Sequence, residues 1–260
     1  NSWTSGLIAS VGALDINPGD EIIVSPWTMS ATATAIMHWN AIPVFADIED
    51  KTFSIDPNKV KKLINKRTKA IITVDIFGHP SKVNELKKIA KNRNIKIICD
   101  AAQSPYSYYG KKLAGTQSDI GGFSFNCHKH IQTGEGGAVV TNNKLLADRV
   151  RLIRNHAEAI VKRKKVKKIN NLIGYNFRLG EIESAIGIEQ LKKLKKIVTS
   201  KQKQSLYLNN KLKDLEGLVL PKVDKGCTHS FYVYPLVLNL KKIKFSRKQL
   251  VKALIKEGVQ

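Results

Sequence analysis

The stretch F-S-F-N-C-H-K-H-I-Q-T-G-E-G-G (Phe123–Gly137) sets Lys129 among two histidines, a cysteine, an asparagine and a serine, between two apolar runs. A lysine amine on a loop that closes a strand can bond to a carbonyl carbon, provided its surroundings favour the neutral form. One lysine in so basic a chain is otherwise an ordinary surface charge. Three other places carry groups that would complete such a chemistry. Asp100 closes the run I-K-I-I-C-D and is followed by A-A-Q, ending at Gln103. The opening N-S-W-T-S-G precedes an apolar helical run, L-I-A-S-V-G-A-L, so the hydroxyls of Thr4 and Ser5 stand at a helix N-terminus. Such an end attracts phosphate, although Thr4 and Ser5 alone read first as an ordinary cap. S-P-W-T-M-S offers Trp27 and Met29 as flat or soft apolar surfaces, unless both are core.

The elements that must position these groups are written as alternating apolar and amphipathic segments. Glu21–Ser25, Ile42–Asp47, Ala70–Phe77 and Ile95–Asp100 are short, β-branched and apolar nearly throughout, as parallel strands covered on both faces are. Helical patterns such as S-K-V-N-E-L-K-K-I-A-K-N, with Val83, Leu86 and Ile89 on one face, lie between them. Turns fall at N-P-G-D and G-H-P. The alternation predicts an α/β domain with a mostly parallel central sheet and helices on both faces. D-I-G-G-F-S-F-N and G-G-A-V-V-T-N read as two more strands. After Gly180 a long amphipathic helix carries Ile182, Ala185, Ile186, Leu191 and Leu194, with Ser200 marking the place where a break could fall. The strand F-Y-V-Y-P-L-V-L and a last helix follow. The expected division is a large α/β domain over 1–200 and the beginning of a small C-terminal α+β domain over 201–260.

Composition closes several other routes. No apolar run reaches the roughly 20 residues of a membrane span. Three cysteines, Cys99, Cys127 and Cys227, are widely spaced and form no C-x-x-C, so neither a disulfide framework nor a structural zinc is expected, and the cytoplasm fits. His128 and His130 beside Cys127 give no closed ligand set, and no metal is expected. The net charge of +23 is spread along the chain, and its densest run, Lys162–Lys168, lacks interleaved aromatics; it reads as a solvated loop, and no nucleic-acid partner is expected. There is no G-x-G-x-x-G and no G-x-x-x-x-G-K-[ST], so a plain nucleotide-binding domain has no motif of its own.

In an open α/β sheet, ligands bind beyond the carboxyl ends of the strands. A phosphate cradle, a carboxylate at a strand end, a lysine on a loop and a stacking surface at that edge meet the needs of pyridoxal 5'-phosphate (PLP).

T-S-G-L, S-P-W-T-M-S-A-T-A-T-A-I, P-V-F-A-D-I, C-D-A-A-Q and D-I-G-G-F-S-F-x-x-x-K-x-I-x-T-G-E-G-G-A-V-V-T occur in that order. With R-L-I-R-N-H and G-Y-N-F-R-L-G-E-I-E-S-A-I-G-I-E-Q-L they make the whole chain resemble the DegT/DnrJ/EryC1/StrS sugar aminotransferases. The resemblance implies a fold-type I, aspartate-aminotransferase-like PLP enzyme. It implies that Lys129 is the Schiff-base lysine and proton shuttle, and that Asp100 partners the pyridine nitrogen. Gln103 would lie against the ring, Met29 would pack on it, and Ser124, Thr4 and Ser5 would bind the phosphate. Asn176 would reach the phosphate region of a neighbouring subunit, so a homodimer is expected. The implied reaction moves an amino group from glutamate or glutamine to a keto sugar, nucleotide-linked, in amino-sugar biosynthesis.

Three positions depart from the family pattern. Met29 stands where an aromatic is usual, His130 where Asn is common, and Asn126 where His or Tyr is frequent. By the same comparison, some residues before Asn1 and a larger C-terminal part are expected to be missing. A branch of the family that replaces the lysine with His carries out dehydration; Lys129 favours transamination. The alternatives are a PLP-dependent sugar dehydratase, a cyclitol aminotransferase or, in another class, a non-catalytic PLP-binding sensor.

Overall fold

Five of the apolar runs pair in one direction to form the heart of the sheet. The computed structural model describes residues 1–158 and 172–259, so the lysine-rich run Lys162–Lys168 lies outside the described residues. The chain opens with α1 (Trp3–Gly12) and continues β1 (Glu21–Val24), α2 (Ser30–Met37), β2 (Ile42–Phe45), α3 (Pro57–Leu63), β3 (Thr68–Val74), α4 (Val83–Ala90) and β4 (Lys96–Asp100). A small hairpin, β5 (Tyr108–Tyr109) and β6 (Lys112–Leu113), precedes β7 (Ile120–Ser124), β8 (Gly137–Val140) and α5 (Lys144–Arg154). The sheet order is β2-β1-β3-β4-β7-β8, with every pair parallel except β7–β8.

Side chains alternate across the sheet with the period of two that strands impose. Ile22, Val24, Ala70, Ile72, Ile98 and Ile120 face α1, α2 and α5, meeting Leu7, Val11, Ile36, Val150 and Ile153. Ile23, Ile71 and Ile97 face the other side, against Val60 of α3 and Leu86 of α4. Each fully buried isoleucine contributes about 1.5–3 kcal/mol, which fixes the register of strands this short. Of the predicted helical face, Val83 and Leu86 are buried and Ile89 is half-buried. The run at Ile42 departs from the expectation of cover on both faces. It forms the edge strand, and Ile42 and Phe45 are 43% and 53% exposed.

After Gly180 the structure resolves one open point and corrects one expectation. Helix α6 (Glu181–Leu212) runs unbroken through Ser200; the stretch K-Q-K-Q-S-L-Y-L holds no Gly or Pro that would interrupt it. The run F-Y-V-Y-P-L-V-L is not one strand. Only β10 (Val237–Leu238) pairs, antiparallel to β9 (Leu218–Val219). Upstream of it, Phe231 takes a left-handed φ of 49° and Ser230 is tied to loops of the sheet, and Pro235 has no amide to give a ladder. The chain ends in α7 (Arg247–Lys256), opened by a capping box between Ser246 and Gln249.

Candidate active site

Asp100 ends β4 opposite Gly122 of β7. A Cβ on Gly122 would stand 1.9 Å from the indole of Trp3, so only glycine lets that ring lie over the sheet. Placed there, Trp3 donates its Nε1–H to Oδ1 of Asp100 at 2.6 Å. Thr32 of α2 donates its hydroxyl to Oδ2 at 2.9 Å, and so accepts in turn from Thr28 at 2.8 Å. The backbone amide of Ala102 reaches Oδ1 at 3.2 Å. Asp100 is 4% exposed. Burial raises its pKa, and the donors from Ala102, Thr32 and Trp3, together with the Lys129 charge, pull it back.

Lys129 lies on the loop beyond β7, its amide donating to the Asn126 carbonyl at 2.9 Å. Burial lowers the pKa of its amine and the Asp100 carboxylate opposes that shift, so the two groups share one electrostatic environment. The free amine stands over the ring of Tyr232, 4.5 Å from its centroid. Asn126 bonds to Glu135 at 2.7 Å. Ser124 sits at the end of β7, half-buried, its hydroxyl accepting from the Asn126 amide at 3.4 Å. Cys127 and His128 are exposed, and no metal-ligating cluster exists among the described residues.

The start of α1 differs in detail from its sequence reading. Ser2, not Thr4 or Ser5, is the N-cap, because the capping box pairs its hydroxyl with the Ser5 amide. The Ser5 hydroxyl is buried and engaged inside the box, donating toward Asn1 Oδ1 and the Ser2 carbonyl, both at 2.8 Å. Thr4 is exposed at the same end. A cleft of about 720 Å³ starts at Asn1, Ser2 and Ser5 and runs along β8 to Arg154 and Arg178. Asn176 is exposed, its carbonyl accepting from Asn1 Nδ2 at 3.2 Å.

Met29 precedes α2 and is 71% exposed; Trp27 is 52% exposed, so neither is core. Gln103 accepts the Phe77 amide on Oε1 at 2.6 Å. The structure thus gathers Asp100 and Lys129, links Trp3 and Thr32 to the former, and sets Gln103 in the loop that follows it.

Four contributors were missed in the sequence. Trp3 and Thr32 hold Asp100, and Tyr232 meets Lys129. Asp75, at the end of β3, is a second buried carboxylate that accepts from Ser81 Oγ at 2.7 Å and Ser104 Oγ at 2.9 Å. It fixes the loop next to Gln103. The glycine pair in D-I-G-G-F was the one available signal, since it marks a place where something large approaches the strand.

These residues suit PLP. The buried carboxylate keeps lone pairs beyond its bound donors, burial lowers the basicity of the amine, and a helix N-terminus with an exposed Thr4 lies at the same sheet edge. A family model described as the DegT/DnrJ/EryC1/StrS aminotransferase family matches residues 1–260. GDP-perosamine synthase of Escherichia coli O157:H7 is 34% identical over 96% of the chain and 66% of the relative. UDP-4-amino-4,6-dideoxy-N-acetyl-beta-L-altrosamine transaminase of Helicobacter pylori is 33% identical over 100% of the chain and 68% of the relative. Among solved structures, E. coli GDP-4-keto-6-deoxy-D-mannose-3-dehydratase with bound hydrated PLP superposes with a TM-score of 0.90 at 30% identity, over 100% of this chain and 71% of that one. The chain spans about two thirds of the curated relatives' length.

Proposed function

The chain belongs to the DegT/DnrJ/EryC1/StrS aminotransferase family, and on that premise we propose that Lys129 and Asp100 are the working pair of a PLP-dependent sugar aminotransferase. The fold is that of the fold-type I PLP enzymes. The observation that carries the assignment of residues is the juxtaposition of a buried, triply donated carboxylate with a lysine whose amine feels its field.

When bound, PLP supplies an electron sink for charge developing on a carbon next to nitrogen. The protein's part is to hold and protonate. Trp3, Thr32 and the Ala102 amide favour the anionic form of Asp100, which would then accept the N–H of the cofactor's ring nitrogen. Lys129 Nζ, whose basicity burial lowers, would condense with the aldehyde carbon with loss of water and, once displaced by the amino donor, carry the proton from the donor's Cα. The Thr4 and Ser124 hydroxyls and the first amides of α1 would take the phosphate; Ser5 supports that end through the capping box. Gln103 would lie against the ring and Met29 would cover one face.

The substrate we assign is a nucleotide-linked keto sugar, with glutamate or glutamine as donor, in amino-sugar biosynthesis. The two sugar-nucleotide names among its relatives support this. A homodimer fits the exposed apolar face of α6 at Ile182, Ile186 and Leu191 and the exposed Asn176. Residues 201–260 would begin a small second domain. The cytoplasm is the proposed compartment, in keeping with three unpaired cysteines. Among the described residues, no helix is long and apolar enough to cross a membrane.

The deciding experiment mixes purified protein with PLP, records the visible spectrum before and after glutamate, and maps the borohydride-stable cofactor label. Label on Lys129, a band bleached by glutamate and an amino-sugar product from a panel of nucleotide keto sugars are expected. Label on another lysine removes the assignment; a band that glutamate leaves untouched makes the protein a PLP binder without transaminase activity. A deoxygenated product would instead reveal a dehydratase.

A further inference from the structure

Two dipeptide-scale segments meet beside the site through matched contacts. Lys129 and His130 are consecutive, and Ser230 and Tyr232 are two apart. His130 Nε2 lies 2.9 Å from the Ser230 carbonyl, which can only accept, so Nε2 carries the proton. The Lys129 amine lies over Tyr232, and the His130 and Tyr232 ring centroids are 5.8 Å apart with the planes tilted by 44°. His130 is 8% exposed, and its Nδ1 has no hydrogen-bond partner among the described residues.

The segment carrying Tyr232 is itself pinned. Ser230 donates its amide to Gly78 O at 2.9 Å and its hydroxyl to Gln103 O at 2.9 Å. Gln202 of α6 donates to the His229 carbonyl at 3.0 Å, and Phe231 stacks on His229 at 4.0 Å. The left-handed turn at Phe231 is therefore held from three sides. Tyr232 meets Lys129 and His130 through its ring.

We propose that Tyr232 is a positioning residue for Lys129: its ring face seats the free amine, and His130, through Ser230, keeps that ring in register with the lysine. This deepens the reading of Lys129 as the cofactor lysine and rests on it. A ring face attracts an ammonium more strongly than a neutral amine. Tyr232 thus opposes the drop in basicity that burial imposes and holds the side chain ready when it is released. The charges that bear on the three residues are Asp100 from β4, which favours the Lys129 ammonium, Lys201 from α6 and Lys129 itself, which disfavour charge on His130, and the Cys127 thiol, which disfavours ionisation of Tyr232.

The test uses the full-length protein stripped of cofactor, with acetic anhydride labelling of Lys129 followed by mass spectrometry across pH and exposed Lys111 as internal reference. Tyr232→Leu is expected to raise Lys129 labelling at neutral pH roughly 2- to 10-fold and to shift its profile to lower pH. Tyr232→Phe should stay within about 2-fold of the parent, because it keeps the ring. His130→Leu should behave as Tyr232→Leu, while His130→Gln, which retains an N–H donor, should restore the parent profile. If His130→Leu does not fold, the Tyr232 pair and His130→Gln still decide. An unchanged profile in Tyr232→Leu, or an equal shift in Tyr232→Phe, overturns the proposal. Cofactor label on a different lysine would instead defeat the proposed function and leave the labelling result standing.

Discussion

Trp3 and Asp100, 97 residues apart, share a 2.6 Å hydrogen bond that only the bare Cα of Gly122 makes room for. The carboxylate assigned to the cofactor's ring nitrogen is thus oriented by the first helix before any ligand arrives. Thr32 does the same from the second helix.

Removing either donor leaves a buried charged acceptor short of a partner. Trp3→Phe and Thr32→Val should each destabilise by about 1–3 kcal/mol and weaken PLP binding. Because both act on one carboxylate, the double variant should depart from additivity by about 0.5 kcal/mol or more. Urea unfolding and a PLP absorbance titration measure both quantities. Strict additivity would mean that the two donors work independently.

Lys129→Ala should cut turnover by about 10²- to 10⁴-fold or more, while PLP still binds through Asp100 and the phosphate end. Steady-state kinetics beside equilibrium dialysis of the cofactor checks this. Near-normal turnover would place the chemistry elsewhere.

His229 gives a pH signature. Burial first, then the neighbouring His79 and His130, pull its pKa down to about 3, against an ordinary value of 6.5. The folded protein therefore keeps it neutral while the unfolded chain binds a proton. Stability from this group is complete above pH 6.5 and is lost as pH falls toward about 3, by about 1.4 kcal/mol per pH unit. His79 and His130 are lowered too and steepen the same slope. Urea midpoints between about pH 6.5 and 4.5 should fall less steeply in His229→Gln. A slope equal to the parent's would assign the acid sensitivity to other groups.

Gly78→Ala tests how the segment around Ser230 is seated. The glycine has φ +110°, and a Cβ there would stand 2.4 Å from Ser230 Oγ and 2.9 Å from the Phe231 amide. A loss of about 2–4 kcal/mol is expected from backbone strain and overpacking together, read by urea unfolding. A neutral substitution would show that Ser230 and Phe231 can move away freely.

Much of this architecture is legible in the sequence because the signals are local. Ile22, Ile71 and Ile98 lie in short β-branched runs bounded by turn residues, and such runs have few other ways to bury themselves. Asp100 and Lys129 stand at strand ends that periodicity alone can locate. What escaped depends on distant contacts. F-Y-V-Y-P-L-V-L has the composition of a strand, yet Ser230 finds its partners at Gly78 and Gln103 and bends the chain away from a ladder. Ser2 took the cap from Thr4 and Ser5 because the choice among neighbouring hydroxyls turns on where the helix starts, which pattern sets only to within a residue or two. Trp3 and Thr32 carry no mark of their pairing with Asp100. That pairing exists only once strand register is set.

The position of α1 also bears on how the protein is made. Its apolar side rests partly on α2, close by in sequence, and partly on β7, β8 and α5, which lie more than a hundred residues downstream. On a ribosome adding about 5–20 residues per second, roughly 6–25 seconds separate α1 from the strand β8 that completes its cover. Trp3 cannot find Asp100 and Gly122 until the same strands have joined. Helix α1 can therefore meet α2 early, while the rest of its apolar surface stays open until the distant strands and α5 have been made.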